Sequence, residues 1–209
     1  MAPRSWAFDP AWYADWLAGE AACWRGRALP EGPTVSIVMP CYETDAVLLR
    51  EAVGSVIAQT YPRWELCLAD DGSSDSATIA VQDELAAGDP RIRLARLPEN
   101  RGIAAASNAA LALATGAFVV PMDHDDRLPD HALAALVHYL LARPETRFAY
   151  SDADRIDARG ALVKPFFKPD WNYDLFLAQN YLNHLTAIDR QLLADLGGWR
   201  EGYEGSQDY

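Results

Sequence analysis

A chain of 209 residues, half of them apolar, can bury one substantial core but is short for two full domains. Its formal net charge of −12 argues against a nucleic-acid partner, because no basic stripe is present to displace phosphate counterions, and points instead to something like a metal-bound anion. Cys23, Cys41 and Cys67 form no C-x-x-C pair, so buried free thiols in a reducing compartment are expected rather than a disulfide framework. The N-terminus lacks a basic-then-apolar leader, and the longest apolar stretch, 103–120, is broken by Ser107, Asn108, Thr115 and Gly116. A soluble cytoplasmic protein with at most peripheral membrane contact is predicted.

Residues 1–33 are a tryptophan-rich arm ending in the linker Leu29-Pro30-Glu31-Gly32-Pro33. Asp9-Pro10 has the pattern of an N-cap followed by a first-turn proline, which predicts a helix to about Arg25 with Trp12, Trp16 and Leu17 on one face, packed on the domain or a partner. The main domain is then 34–209. Strands are predicted at 34–39 (ended by Pro40), 64–69, 92–97 and 116–121, with helices at 46–59, up to about 87, and at 103–114. In the first of these helices Val47, Leu48, Val53, Val56 and Ile57 recur at helical spacing. The alternation implies an α/β fold, a mainly parallel central sheet flanked by helices and joined by right-handed crossovers. A helix at 129–143 and a fifth strand at 147–151 follow. Residues 152–171 read as an irregular excursion over one end of the sheet, 173–180 and 191–196 as helices around a short strand at 185–188, and 197–209 as a glycine-rich loop.

Met122-Asp123-His124-Asp125-Asp126 sets three carboxylates just past a strand end, where open α/β sheets bind ligands. On an extended backbone residues two apart point the same way, so Asp123 and Asp125 are expected to converge while His124 turns aside. Paired carboxylates repel unless a cation lies between them, and oxygen donors suit Mg2+ or Mn2+ better than zinc. A plain solvated turn, with Asp126 capping the helix near Pro129, is the competing reading of so short a motif. Two further strand ends carry polar groups, Pro40-Cys41-Tyr42-Glu43 and Asp70-Asp71-Gly72-Ser73.

With Asn100-Arg101-Gly102 and Asn108 added, the set resembles the family 2 glycosyltransferases, which have the GT-A (nucleotide-diphospho-sugar transferase) fold. The resemblance runs over 34–209 and extends to bacterial surface-polysaccharide members through Tyr150-Ser151-Asp152, Phe167-Lys168-Pro169-Asp170-Trp171 and Glu204-Gly205-Ser206-Gln207-Asp208-Tyr209. It implies an inverting, metal-assisted enzyme moving a sugar from a UDP- or dTDP-sugar to a glycan or lipid-linked saccharide acceptor. The donor-binding half would be 34–126 and the acceptor-side half 127–209. Asp71 is implied to accept the N–H of a uracil or thymine ring, with Asp70 orienting it. Pro40, Tyr42 and Glu43 would lie at the base and ribose, Tyr42 either packing on the base or sitting in the core. Gly102 would let the backbone approach the nucleotide. Asp123 is assigned the ribose and the metal, Asp125 the metal (Mn2+ or Mg2+), His124 a place in the donor site and Asp126 a place behind the ligands.

Asp208 matches the base that takes the acceptor proton. Arg101 either faces the diphosphate or is solvated, and Asn108 anchors its loop. His184 lines the acceptor side or is structural, and Asp152 and Asp154 meet sugar hydroxyls or water. Family members carry Glu-Asp where this chain has Gln207-Asp208, and continue with a helix and often a Gln-x-x-Arg-Trp segment. The C-terminal part of the domain is therefore expected to be missing, Asp208 to be mobile and the acceptor subsite incomplete. A nucleotidyltransferase would need a glycine-rich basic loop after the first strand, where this chain has the acidic Cys41-Tyr42-Glu43-Thr44-Asp45. A non-catalytic donor-binding module, held to a partner by the arm, is the alternative; it would bind UDP with Mn2+ and release none from a sugar donor.

Overall fold

The structure is a computed structural model that describes residues 9–29, 31–157 and 159–203. In chain order the elements are α1 (Pro10–Trp24), β1 (Val35–Cys41), α2 (Ala46–Ile57), β2 (Trp64–Asp70), α3 (Ser76–Gly88), β3 (Ile92–Arg96), α4 (Ile103–Leu111), β4 (Phe118–Pro121) and α5 (Ala132–Ala142). They continue with β5 (Phe148–Tyr150), β6 (Ala153–Ile156), β7 (Leu162–Phe166), α6 (Tyr173–Ala178), β8 (Thr186–Asp189) and α7 (Arg190–Asp195).

The main sheet runs β3-β2-β1-β4-β8-β5. β3, β2, β1 and β4 are parallel, and β8 is antiparallel to both β4 and β5. β1 and β2 are buried along their whole length because helices cover both faces, which is why they read as continuous apolar runs. Alternation divides their side chains between two cores. Ile37, Met39, Leu66 and Leu68 pack with Leu49, Val53 and Val56 of α2 and Leu133 and Val137 of α5, whereas Val38, Cys67 and Ala69 meet Ala106 and Ala110 of α4 and Leu193 of α7. All three cysteines are free, and burial pushes the Cys41 and Cys67 thiols up to about 12, while Cys23 is exposed.

Several expectations need correction. β1 does not stop at Pro40; it continues to Cys41, paired with β2 alone, since its last rung to β4 is Val38 with Pro121. The missing N–H of Pro40 therefore costs no bond to β4. On α1 the inward residue is Tyr13 (3% exposed), whereas Trp12 is 53% exposed. Tyr13 donates to Asp154 at 2.6 Å, Trp16 meets Phe167 edge-on and Trp24 stacks on His131, so α1 lies against the 153–167 segment and α5. On α2 the buried stripe is Leu49, Ala52, Val53 and Val56, with Val47, Leu48 and Ile57 exposed. Side-chain size does not choose the inward face; the position of the neighbouring elements does. The stretch expected to be irregular contains the hairpin β6–β7, hidden by Pro165 and by strands exposed on much of their surface.

At the strand-start side of the sheet, buried Glu65 joins four segments. It accepts from Ser36 Oγ (2.6 Å), from the Thr115 and Gly116 N–H groups (2.5 and 3.0 Å) and from the Thr115 hydroxyl, and pairs with Arg93. Burial raises its carboxyl pKa, but these bonds outweigh burial and hold it below the usual glutamate range. Glu65→Ala should lower the unfolding free energy by about 3 kcal/mol at neutral pH, because it strands buried donors. A depressed native pKa adds stability that is present above the unfolded value and lost as pH falls through the native one. Urea titrations should therefore show the gap between mutant and wild type narrowing below about pH 4; a gap independent of pH would contradict the assignment.

Candidate active site

Strand order reverses about β1, with β2 on one side and β4 on the other, so the carboxyl ends of β1, β2 and β4 form a crevice at a topological switch point. Three loops leave this rim. The β1 loop is locked to the β2 loop by Glu43, whose carboxylate accepts from the Ser74 N–H (2.7 Å), the Ser74 hydroxyl (2.8 Å) and the Asp75 N–H (3.1 Å). Its own N–H donates to Ser73 Oγ at 2.9 Å, and these bonds hold Glu43 at φ 44, a conformation uncommon outside glycine. The Ser74 contacts lower the Glu43 pKa. This carboxylate is therefore engaged in joining loops. Tyr42 beside it is exposed, which removes the core reading.

Asp70 and Asp71 are both 2% exposed and diverge. Asp70 accepts from Gln82 Nε2 (3.1 Å) and the Ser73 N–H (3.3 Å) and lies 3.7 Å from Arg96, so its side chain ties the turn after Asp71 to α3 and β3. Asp71 takes the N–H groups of Arg101 and Gly102, each at 2.8 Å, one per carboxylate oxygen. The cap of α3 is Asp75, which leaves Asp71 free for this clamp. Two glycines make the approach of the loops possible. At Gly72 (φ 76) a Cβ would lie 2.5 Å from the Glu99 carbonyl carbon, and Gly102, at φ 90, opens α4 without a side-chain cap.

The acidic segment departs from the extended geometry expected for it. The Asp126 N–H donates to the Asp123 carbonyl at 3.2 Å, closing a turn. In a turn the first and fourth residues approach each other, so Asp123 and Asp126 converge and Asp125 sits exposed at the corner. Asp126 does not cap the next helix, whose N-cap is His131. Among the described residues, ligand atoms of Asp123, Asp126 and His184 all lie within 4.8 Å of one another. His184 Nε2 is 3.5 Å from Asp123 Oδ2, and its buried Nδ1 has no hydrogen-bond partner among the described residues. Burial, with the charges of Asp123 and Asp125, pushes the Asp126 carboxyl up against the opposing pull of His184 and His124. Two carboxylates and an imidazole form a mixed oxygen and nitrogen donor set that could hold a divalent metal ion. His124 reaches across to β1, with Nδ1 3.4 Å from the Pro40 carbonyl.

The sequence matches the profile of Glycosyl transferase family 2 over residues 36–197. The chain belongs to that family. It is 44% identical over 183 residues to y4gI of Sinorhizobium fredii, covering 88% of this chain and 20% of that protein. To the O-antigen biosynthesis protein RfbC of Myxococcus xanthus it is 36% identical, over 99% of this chain and 16% of RfbC. To the Escherichia coli UDP-Glc:alpha-D-GlcNAc-diphosphoundecaprenol beta-1,3-glucosyltransferase WfgD it is 33% identical, over 76% of this chain and 61% of WfgD. The chain thus spans a fifth or less of the first two relatives. Among solved structures, the Pyrobaculum calidifontis mannosyltransferase PcManGT, in complex with GDP-Man and Mn2+, superposes with a TM-score of 0.62 at 27% identity, over 90% of this chain and 56% of its own. The fold is GT-A.

In this glycosyltransferase family member the loop after α7 closes the rim. Asn108 on α4 holds the backbone of Trp199 at both ends, donating from Nδ2 to its carbonyl (2.8 Å) and accepting its N–H (2.9 Å), and Arg101 pairs with Glu201 rather than standing free. That loop borders a cavity of about 420 Å3 lined by Pro121, Leu182, Asn183, Thr186, Trp199 and Tyr203, next in sequence to the acidic cluster and His184. Asp152 accepts the Lys168 N–H (2.7 Å) and Asp154 the Tyr13 hydroxyl, so both are engaged by the protein. Asp208 and the rest of 204–209 lie outside the described residues. His184 is the site residue that motif spacing ranked too low: it is 58 residues beyond Asp126, and only the return of β8 beside β4 brings it in.

Asp71→Ala should leave the Arg101 and Gly102 N–H groups without their carboxylate acceptor and destabilise the Asn100–Gly102 turn by about 1–3 kcal/mol. Hydrogen exchange read by mass spectrometry should show protection lost at 100–104 and kept in β1 and β2; unchanged protection at 100–104 would refute the clamp.

Proposed function

We propose that this chain is the donor-binding and catalytic part of an inverting glycosyltransferase that moves a sugar from a UDP- or dTDP-sugar to a glycan or lipid-linked saccharide during polysaccharide synthesis. The observation that carries the reading is the convergence of Asp123, Asp126 and His184 at the rim that also holds the Asp71 clamp. A carboxylate offers about four lone-pair positions, of which Asp71 uses two, so capacity remains for the ring N–H of uracil or thymine. Exposed Tyr42 is available to pack on that base, and Pro40 and the Glu43 loop lock form the floor beside it. The positive φ of Gly102 lets main chain approach the nucleotide.

Asp123, Asp126 and His184 would hold Mn2+ or Mg2+, with Asp125 on the same turn and Asp123 also toward the ribose. When bound, such an ion supplies Lewis-acid neutralisation of the departing diphosphate. The acceptor hydroxyl enters from the side of the 420 Å3 cavity, bordered by the loop that runs on toward Asp208. Asp208 takes the hydroxyl proton as the oxygen attacks the anomeric carbon from the face opposite the leaving group, which inverts that centre. A lipid-linked acceptor would bring the reaction to the cytoplasmic face of a membrane; no helix among the described residues is long and apolar enough to cross one.

Thermal-shift panels should show stabilisation by UDP or dTDP that requires Mn2+, lost in Asp126→Ala and reduced in Asp125→Ala. Equal stabilisation by ATP would overturn the donor assignment. Asp208→Asn should keep donor-dependent stabilisation while release of UDP from UDP-sugars falls at least about 100-fold. Undiminished release would remove Asp208 from the mechanism, and binding without any release by the unmodified chain would favour a non-catalytic module.

A further inference from the structure

We propose that Lys168 is a positioning residue that sets the His184 imidazole against Asp123 and Asp126; the inference rests on the metal-assisted reading above. A metal-binding histidine usually has its ring fixed by a hydrogen bond from its second nitrogen. His184 lacks that support among the described residues, where its buried Nδ1 has no partner. The ring direction is therefore set through the backbone, and the backbone is held by Lys168. Lys168 Nζ donates to the carbonyl oxygens of Leu182 (3.0 Å) and His184 (3.1 Å). Two anchors on alternate carbonyls fix the intervening peptide planes. On the far side, the Leu185 carbonyl accepts from the Ser151 N–H at 3.0 Å, so the turn of chain around His184 is tied on both flanks.

Lys168 is itself fixed. Its N–H donates to Asp152 Oδ1 at 2.7 Å, and Phe167 before it meets Trp16 of α1. Its half-buried ammonium is committed to neutral carbonyls of one loop, an arrangement that orders a loop rather than solubilising a surface.

The test compares the wild-type chain with Lys168→Met, Lys168→Arg, His184→Ala and the Lys168→Met/His184→Ala double variant. Uptake of Mn2+ alone is read from the electron paramagnetic resonance signal of the free ion, and the His184 ring nitrogens are read by NMR in metal-free protein. Lys168→Met should weaken Mn2+ binding by about 10–100-fold and shift the His184 ring resonances while leaving those of His138 in place. Lys168→Arg should recover most of the affinity, and in the His184→Ala background Lys168→Met should change it by less than about 2-fold. Equal losses in both backgrounds, or unmoved His184 resonances, would overturn the proposal. Absence of Mn2+ uptake by wild type would instead sink the metal reading, and the ring resonances would decide the role of Lys168 alone. Should Lys168→Met fail to fold, Lys168→Gln carries the same comparison.

Discussion

Repulsion between carboxylates is the constraint around which this molecule is arranged. A chain with net charge −12 brings acidic residues from three strand ends to one rim, and each must be compensated there. Glu43 is compensated by Ser74 and the Asp75 N–H, Asp70 by Gln82 and Arg96, and Asp71 by two backbone N–H groups. Those bonds also tie the loops to one another, so neutralising the charge and shaping the crevice are the same interaction. Asp125 and Asp126 have no side-chain hydrogen bond among the described residues, and Asp123 faces His184 and the like charge of Asp126. At the rim, the carboxylates left without such bonds thus belong to one turn, and it is there that the proposed divalent cation would balance them.

The scaffold beneath this rim is rigid for ordinary reasons. β1 and β2 are covered on both faces, and the small residues of α4 let it lie close to the sheet, so the loops leave from fixed points. The part of the chain after α5 is put together differently, from short elements that hold one another: α1 against the β6–β7 hairpin, the hairpin exit against the 182–185 turn through Lys168, and that turn against β5. The arm is connected through this series to His184, although it lies at the opposite end of the sequence.

The sequence by itself determined the parallel half of the sheet, because Val35–Met39 and Leu66–Ala69 are apolar runs between turn signals and the helices carry a 3.6-residue period. It also singled out the loops that carry Asp71, Gly102 and Asp123, from short-range signals between strand and helix. Tertiary structure alone decided which groups meet. The partner of Asp123 is Asp126 through a turn, not Asp125 along a strand, because turn closure is a backbone event that a D-x-D spacing does not encode. Tyr13 rather than Trp12 is inward because the hairpin supplies Asp154 as its partner, and His184 joins the site because β8 inserts antiparallel between β4 and β5. Local pattern records the period of each element, whereas convergence depends on contacts far apart in the chain, and these form only once the sheet order is set.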